Sequence, residues 1–137
     1  MHKICALLLI SAISIVSTTT FLFGVEVICQ LDGVFRFNVQ HMEDDTIGDD
    51  KITSNDEFLA RNKLFFYQTG YQNGDGFGNE YELSAKFSHN CTNNGQWLNY
   101  RHYLRDTPIK NGLEYVEYSL DLYNLEGKGR VGDWKFQ

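Results

Sequence analysis

Proline is almost absent from these 137 residues, with Pro108 the single example. With twelve glycines beside it, that scarcity excludes collagen-like repeats and linker character. A basic surplus is missing too. Eighteen acidic against twelve basic residues leave a net charge of −6, the wrong sign for a nucleic-acid binder. No window of a dozen residues beyond the N-terminal segment sustains apolar residues at helical spacing, so a helical bundle is excluded. Internal repeats and the Gly-x-Ser-x-Gly elbow of serine hydrolases are also absent.

What is present is a chain of single-domain length with aromatics at 15%, enough for a packed core. Met1-His2-Lys3 is a short basic start, and Ile4–Val16 (ICALLLISAISIV) is an apolar run that passes into Ser17–Thr20. This is the pattern of a secretory signal peptide over residues 1–24, with cleavage expected between about 17 and 24. The uncharged stretch from Ile4 to Val25 is also long enough to serve as an uncleaved membrane anchor. Serine and threonine interrupt the run and favour the cleaved reading. Removal of the leader takes Cys5 away and leaves Cys29 and Cys91. In an oxidising compartment such a pair forms a disulfide, worth about 4 kcal/mol for a loop of about 60 residues. Asn90-Cys91-Thr92 is an N-glycosylation sequon at Asn90, although a bridged central cysteine hinders its use.

Alternation of period two dominates residues 25–137. Phe35, Phe37, Val39 and His41 share one face, as do Tyr81, Leu83, Ala85 and Phe87. Tyr100, His102 and Leu104 form a third such set, and Val116, Tyr118, Leu120 and Leu122 a fourth. Shorter strands are expected over Val25–Leu31, Ile47–Thr53, Phe58–Ala60, Leu64–Gln68 and Val131–Phe136. Turn signals separate them at Asp32-Gly33, Asn93-Asn94-Gly95 and Asn111-Gly112. The expected fold is all-β, a seven- or eight-stranded β-sandwich.

Several pieces of the chain resemble nematode transthyretin-like proteins. They are VEVICQ with Leu31-Asp32-Gly33, the segment Val39–Phe58 with its acidic loop, EYELSAKFSHNC and LDLYNLEGK. The resemblance implies a secreted prealbumin-like sandwich used for extracellular binding or signalling rather than for catalysis. The transthyretin relatives that hydrolyse a purine-breakdown product end in Tyr-Arg-Gly-Ser/Thr, whereas this chain ends Asp133-Trp134-Lys135-Phe136-Gln137. That alternative is therefore disfavoured. A purely structural or defence-type secreted protein is the other rival.

Two connections concentrate unusual chemistry. Residues 41–58 (HMEDDTIGDDKITSNDEF) hold seven carboxylates and one lysine, a local charge of −6. Without Lys3 the whole chain carries −7, so the remainder is nearly neutral. Counted from Asp45, position 3 of an EF-hand loop would be Ile47, so that calcium template fails. The stretch reads as a surface loop, with Asp44, Asp45, Asp49 and Asp50 as candidate contacts for a basic partner. The second connection, residues 62–79, offers Phe66, Tyr67, Tyr71 and Phe77 as an aromatic patch if they do not fold inward. His41, His89 and His102 sit on separate strands and read as core-edge residues rather than a metal centre. No cofactor is expected. Partners are an unidentified extracellular protein, lipid or small molecule, with homo-oligomers through Val131–Phe136 left open.

Overall fold

The computed structural model describes residues 17–74 and 78–130. The apolar leader through Val16, the candidate Phe77 and the expected edge strand Val131–Phe136 lie outside them. Within them the chain is all-β, with nine strands. These are β1 (Thr19–Ile28), β2 (Val34–Glu43), β3 (Asp50–Lys51), β4 (Asp56–Arg61), β5 (Lys63–Gln72), β6 (Glu80–His89), β7 (Leu98–Pro108), β8 (Gly112–Asp121) and β9 (Gly127–Arg130). The strand expected over Ile47–Thr53 is reduced to the two residues of β3, and β9 forms over Gly127–Arg130, where no strand is expected. The strand expected at Val25–Leu31 starts earlier, at Thr19, since Thr19, Phe21 and Phe23 continue the inward face of Val25 and Val27 and are fully buried.

The strands follow one path, β8-β1-β5-β4-β2-β6-β7-β9, with β3 attached beside β2. Most neighbours are antiparallel, while β1 with β8 and β7 with β9 run parallel. Between β4 and β5 only Arg61 and Lys63 are paired. Asn62 turns that corner at φ 63°, in the left-handed region that asparagine tolerates better than most residues. Its carbonyl accepts the Cys29 amide at 2.6 Å. The sheet thus folds on itself into two leaves, β8-β1-β5 and β4-β2-β6-β7-β9, a sandwich-like arrangement.

The core lies between the leaves. β1 contributes Phe21, Phe23, Val25 and Val27, and β8 contributes Val116, Tyr118 and Leu120. Opposite them stand Phe35, Phe37 and Val39 of β2 with Leu83, Ala85 and Phe87 of β6. Each set is the inward half of an alternating strand, as its pattern requires. The expected Cys29–Cys91 disulfide is present with a Cα–Cα separation of 5.9 Å, and it ties the end of β1 to the end of β6 across the two leaves. Among the described residues no helix is long and apolar enough to cross a membrane.

Candidate functional site

A three-stranded leaf buries one side and leaves the other to solvent. On the outer side of β5-β1-β8 the register builds successive rows: Tyr71–Thr20–Leu113, Thr69–Leu22–Tyr115, Tyr67–Gly24–Glu117 and Phe65–Glu26–Ser119. Phe65, Tyr67, Tyr71, Leu113 and Tyr115 are each between 42% and 63% exposed. Five large apolar side chains on neighbouring rows make a continuous patch rather than scattered exposure. Gly24 lies beneath its centre. A Cβ there would stand 2.9 Å from the Tyr115 hydroxyl and 3.2 Å from a Tyr67 ring carbon, so glycine lets both tyrosines lie over the β1 backbone. Phe65 meets Tyr67 edge-to-face at 5.0 Å. The Tyr115 hydroxyl donates to Glu117, and that bond, with partial desolvation, raises its pKa far above the ordinary tyrosine range. Glu26 accepts from Ser119 at 3.2 Å and lies 3.6 Å from Lys63. The patch is therefore aromatic with a mainly acidic rim.

Of the expected aromatic residues, Tyr67 and Tyr71 lie on this face. Phe66 does not. At 8% exposure it points into the core and packs on Phe58 at 4.4 Å, because it has the opposite parity along β5. Phe65, Leu113 and Tyr115 were missed by the sequence reading. The signal was available: if Val116 and Tyr118 face inward, Tyr115 must face out.

The acidic stretch is not one surface loop. Glu43 ends β2 and is buried, Asp50 forms part of β3, and Asp56 and Glu57 open β4. Only Asp44, Asp45 and Asp49 of its seven carboxylates therefore lie in a connection. Asp44 accepts from Ser84 Oγ at 2.6 Å and lies 3.1 Å from Arg101. Asp49 pairs with Arg101 and with Lys86 at 3.0 Å. Partial burial pushes the Asp49 carboxyl up, and hydrogen bonds from Lys86 and Arg101 outweigh it and hold the group below its usual value. Asp50 accepts from Gln72 at 3.1 Å, and the Asp45 carboxylate caps the Thr46 amide at 2.8 Å. Two of the four aspartates expected to meet a basic partner are thus already paired within the chain. Among the described residues no group of three or more His, Cys, Asp or Glu could hold a metal ion.

The histidines lie in the core. His41 Nδ1 donates to Gln68 Oε1 at 2.8 Å, and its Nε2 accepts from the Tyr118 hydroxyl at 2.8 Å. Its ring stacks on Phe23 with centroids 3.7 Å apart. Burial lowers its pKa to about 3 against the opposing Gln68 bond. His102 packs on the same tyrosine, 5.6 Å between ring centroids, and burial lowers its pKa to about 4. His89 is held apart, donating through Nε2 to the Leu125 carbonyl at 2.8 Å. Two of the three therefore touch one tyrosine, Tyr118, inside the core.

At the sequon, Asn90 Oδ1 accepts the Arg36 amide at 2.7 Å, and Thr92 is buried with its hydroxyl donating to the Gln96 carbonyl at 2.9 Å. A glycan on Asn90 would have to be added before these contacts close.

A family model described as "Caenorhabditis elegans protein of unknown function (DUF870)" matches residues 24–131. Protein lin-61 of Caenorhabditis elegans is 49% identical over 109 residues, covering 77% of this chain and 18% of that protein. The chain thus spans under one fifth of that curated relative. No solved structure matches it. These matches overturn the resemblance to transthyretin-like proteins, because the family model that covers the strands is a different one. The pieces that carried the resemblance are short strand-and-turn segments, whose alternation and turn residues any sandwich strand can share.

Proposed function

The chain belongs to the family described as Caenorhabditis elegans protein of unknown function (DUF870), and from that premise we propose that it is an exported, non-catalytic binding protein that docks a basic protein partner. The family description assigns no activity, so the reading rests on the molecule. One observation carries it: the aromatic face of β5-β1-β8, with Tyr67 and Tyr115 lying over Gly24. Tyrosine and phenylalanine are enriched where proteins bind proteins, because they bury much area at little entropic cost. Glu26 and Glu117 set the sign of the partner. An arginine or lysine laid on exposed rings beside those carboxylates gains about 0.5–1 kcal/mol of cation–π attraction as well as the ion pair.

Export is supported by the apolar leader and by the Cys29–Cys91 bridge, since such bonds persist in oxidising compartments. Because Thr19, Phe21 and Phe23 belong to the core, this reading sets cleavage at the early end of the expected range, ahead of Thr19. The histidines support binding over catalysis. All three are buried, away from any surface where a substrate could meet them.

The test uses the full chain expressed in secreting cells. Intact mass of the medium protein should place its N-terminus at Ser17 to Thr19 with the bridge closed. Tyr67→Ser with Tyr115→Ser should weaken binding of an Arg-Gly repeat peptide at least tenfold, with the urea midpoint retained. Equal binding by the variant, or equal binding of a Glu-Gly repeat peptide by the parent protein, sinks the proposal.

A further inference from the structure

The opposite outer face has a different chemistry. Across β2, β6, β7 and β9 one register row reads Gln40–Lys86–Arg101–Lys128, and the adjacent row reads Asn38–Ser88–Asn99. They line a hollow of about 770 Å³, with Asn55 at one margin and Gly127 at the other. Neighbouring strands are about 4.8 Å apart, so three cations stand side by side in a chain of net charge −6. Like charges directly opposite one another destabilise a sheet, and a row of them implies compensation by an anion. Compensation is incomplete. Asp49 pairs with both Lys86 and Arg101, and Asp44 lies 3.1 Å from Arg101, so two carboxylates face three cations, while Lys128 is exposed and has no carboxylate partner among the described residues. The neutral lining is also unspent. Among the described residues the side chains of Asn38, Asn55, Ser88 and Asn99 have no hydrogen-bond partner, although each could bond a ligand hydroxyl.

We infer that this hollow is a second binding site, for an acidic oligosaccharide whose carboxylate or sulfate sits between Arg101 and Lys128 while its hydroxyls meet Asn38, Asn55, Ser88 and Asn99. The lining aromatics, Phe87 and Tyr100, are almost wholly buried and offer no face for a base to stack on. That favours a polyhydroxylated ligand over a nucleotide. The volume falls in the range of small-molecule sites. Charge-assisted hydrogen bonds from guanidinium and ammonium would supply the strongest contacts. Asp49, beside Asp44, is then a tethered anion competing for Arg101. Its removal should strengthen binding, which mere loss of surface charge balance at a remote position would not mimic. The site lies on the other leaf from the aromatic face and stands independently of it.

Isothermal titration of the full chain with a heparin-derived tetrasaccharide (sulfate), a tetragalacturonate (carboxylate) and maltotetraose (neutral) tests this. At least one acidic sugar should bind with the neutral one silent, and which one binds identifies the anionic group. Lys128→Ala should weaken binding at least fivefold and Asn99→Ala two- to fivefold, both with an unchanged urea midpoint, and Asp49→Asn should strengthen it at least threefold with a midpoint lowered by loss of the Lys86 and Arg101 pairs. Lys63→Ala, on the far leaf, should leave affinity unchanged. Three results overturn the inference: no binding of either acidic sugar to the parent or to Asp49→Asn, equal losses in Lys63→Ala and Lys128→Ala, or binding indifferent to Asn99.

Discussion

Lowering the pH from 7.5 to 4.5 should remove a large part of this protein's stability through two core histidines. His41 and His102 are neutral when folded, with pKa values lowered by burial to about 3 and about 4, against 6.5 for an exposed imidazole. Below pH 6.5 the unfolded chain takes up protons that the folded chain refuses, so acid favours unfolding. Stability is whole above about pH 6.5 and falls until about pH 4 for His102 and about pH 3 for His41. Each pH unit inside that window costs about 1.4 kcal/mol per histidine. At pH 4.5 the loss is roughly 2–3 kcal/mol for each residue, about 5 kcal/mol for the pair. His89, also lowered by burial, adds in the same direction. A domain of this size has about 5–15 kcal/mol in all. Urea midpoints at pH 7.5, 5.5 and 4.5 measure the slope. His102→Leu, close in volume and free of the unpaired buried Nε2, should flatten it by one proton while leaving stability at pH 7.5 little changed. A midpoint independent of pH in the parent protein, or an identical slope in the variant, would refute the reasoning.

Replacing both Cys29 and Cys91 by alanine opens a loop of sequence separation 62, and should cost about 4 kcal/mol of unfolding free energy in urea. A loss below about 1 kcal/mol would mean that the bridge does not constrain the unfolded chain. Gly70→Ala should be far worse than an ordinary surface change, because the new Cβ would overlap the Ile52 carbonyl oxygen and stand 2.6 Å from its carbon. Displacing that segment breaks the Ile52 and Thr53 amide bonds to the His41 carbonyl, 3.0 and 3.3 Å, and uncovers buried Ile52, at a cost of about 3 kcal/mol. A urea midpoint equal to that of the parent would refute the close approach.

Legibility followed burial. The inward sets of β2, β6, β7 and β8 were readable because a half-buried strand must alternate, and Phe35, Tyr81, Tyr100 and Val116 each begin such a set. β1 was only half readable. From Thr19 to Gly24 its apolar residues continue those of the leader without a charge to mark the boundary. β3 and β9 pair too few residues for alternation to register. Phe66 parts from Tyr67 and Tyr71 because its parity along β5 is opposite to theirs, which composition of the aromatic cluster does not reveal. The acidic stretch was recognised by composition alone, and its partners Lys86 and Arg101 are 37 and 52 residues away from Asp49.

Taken by itself, the sequence determined an all-strand domain closed by one disulfide, because alternation and cysteine pairing are local or pairwise properties that the chain carries wherever it folds. Tertiary structure alone decided that Tyr67 and Tyr115 share a floor at Gly24, and that Lys86, Arg101 and Lys128 stand in one row. Strand order and register set those neighbours, and nothing in a strand's own residues specifies which strand lies beside it.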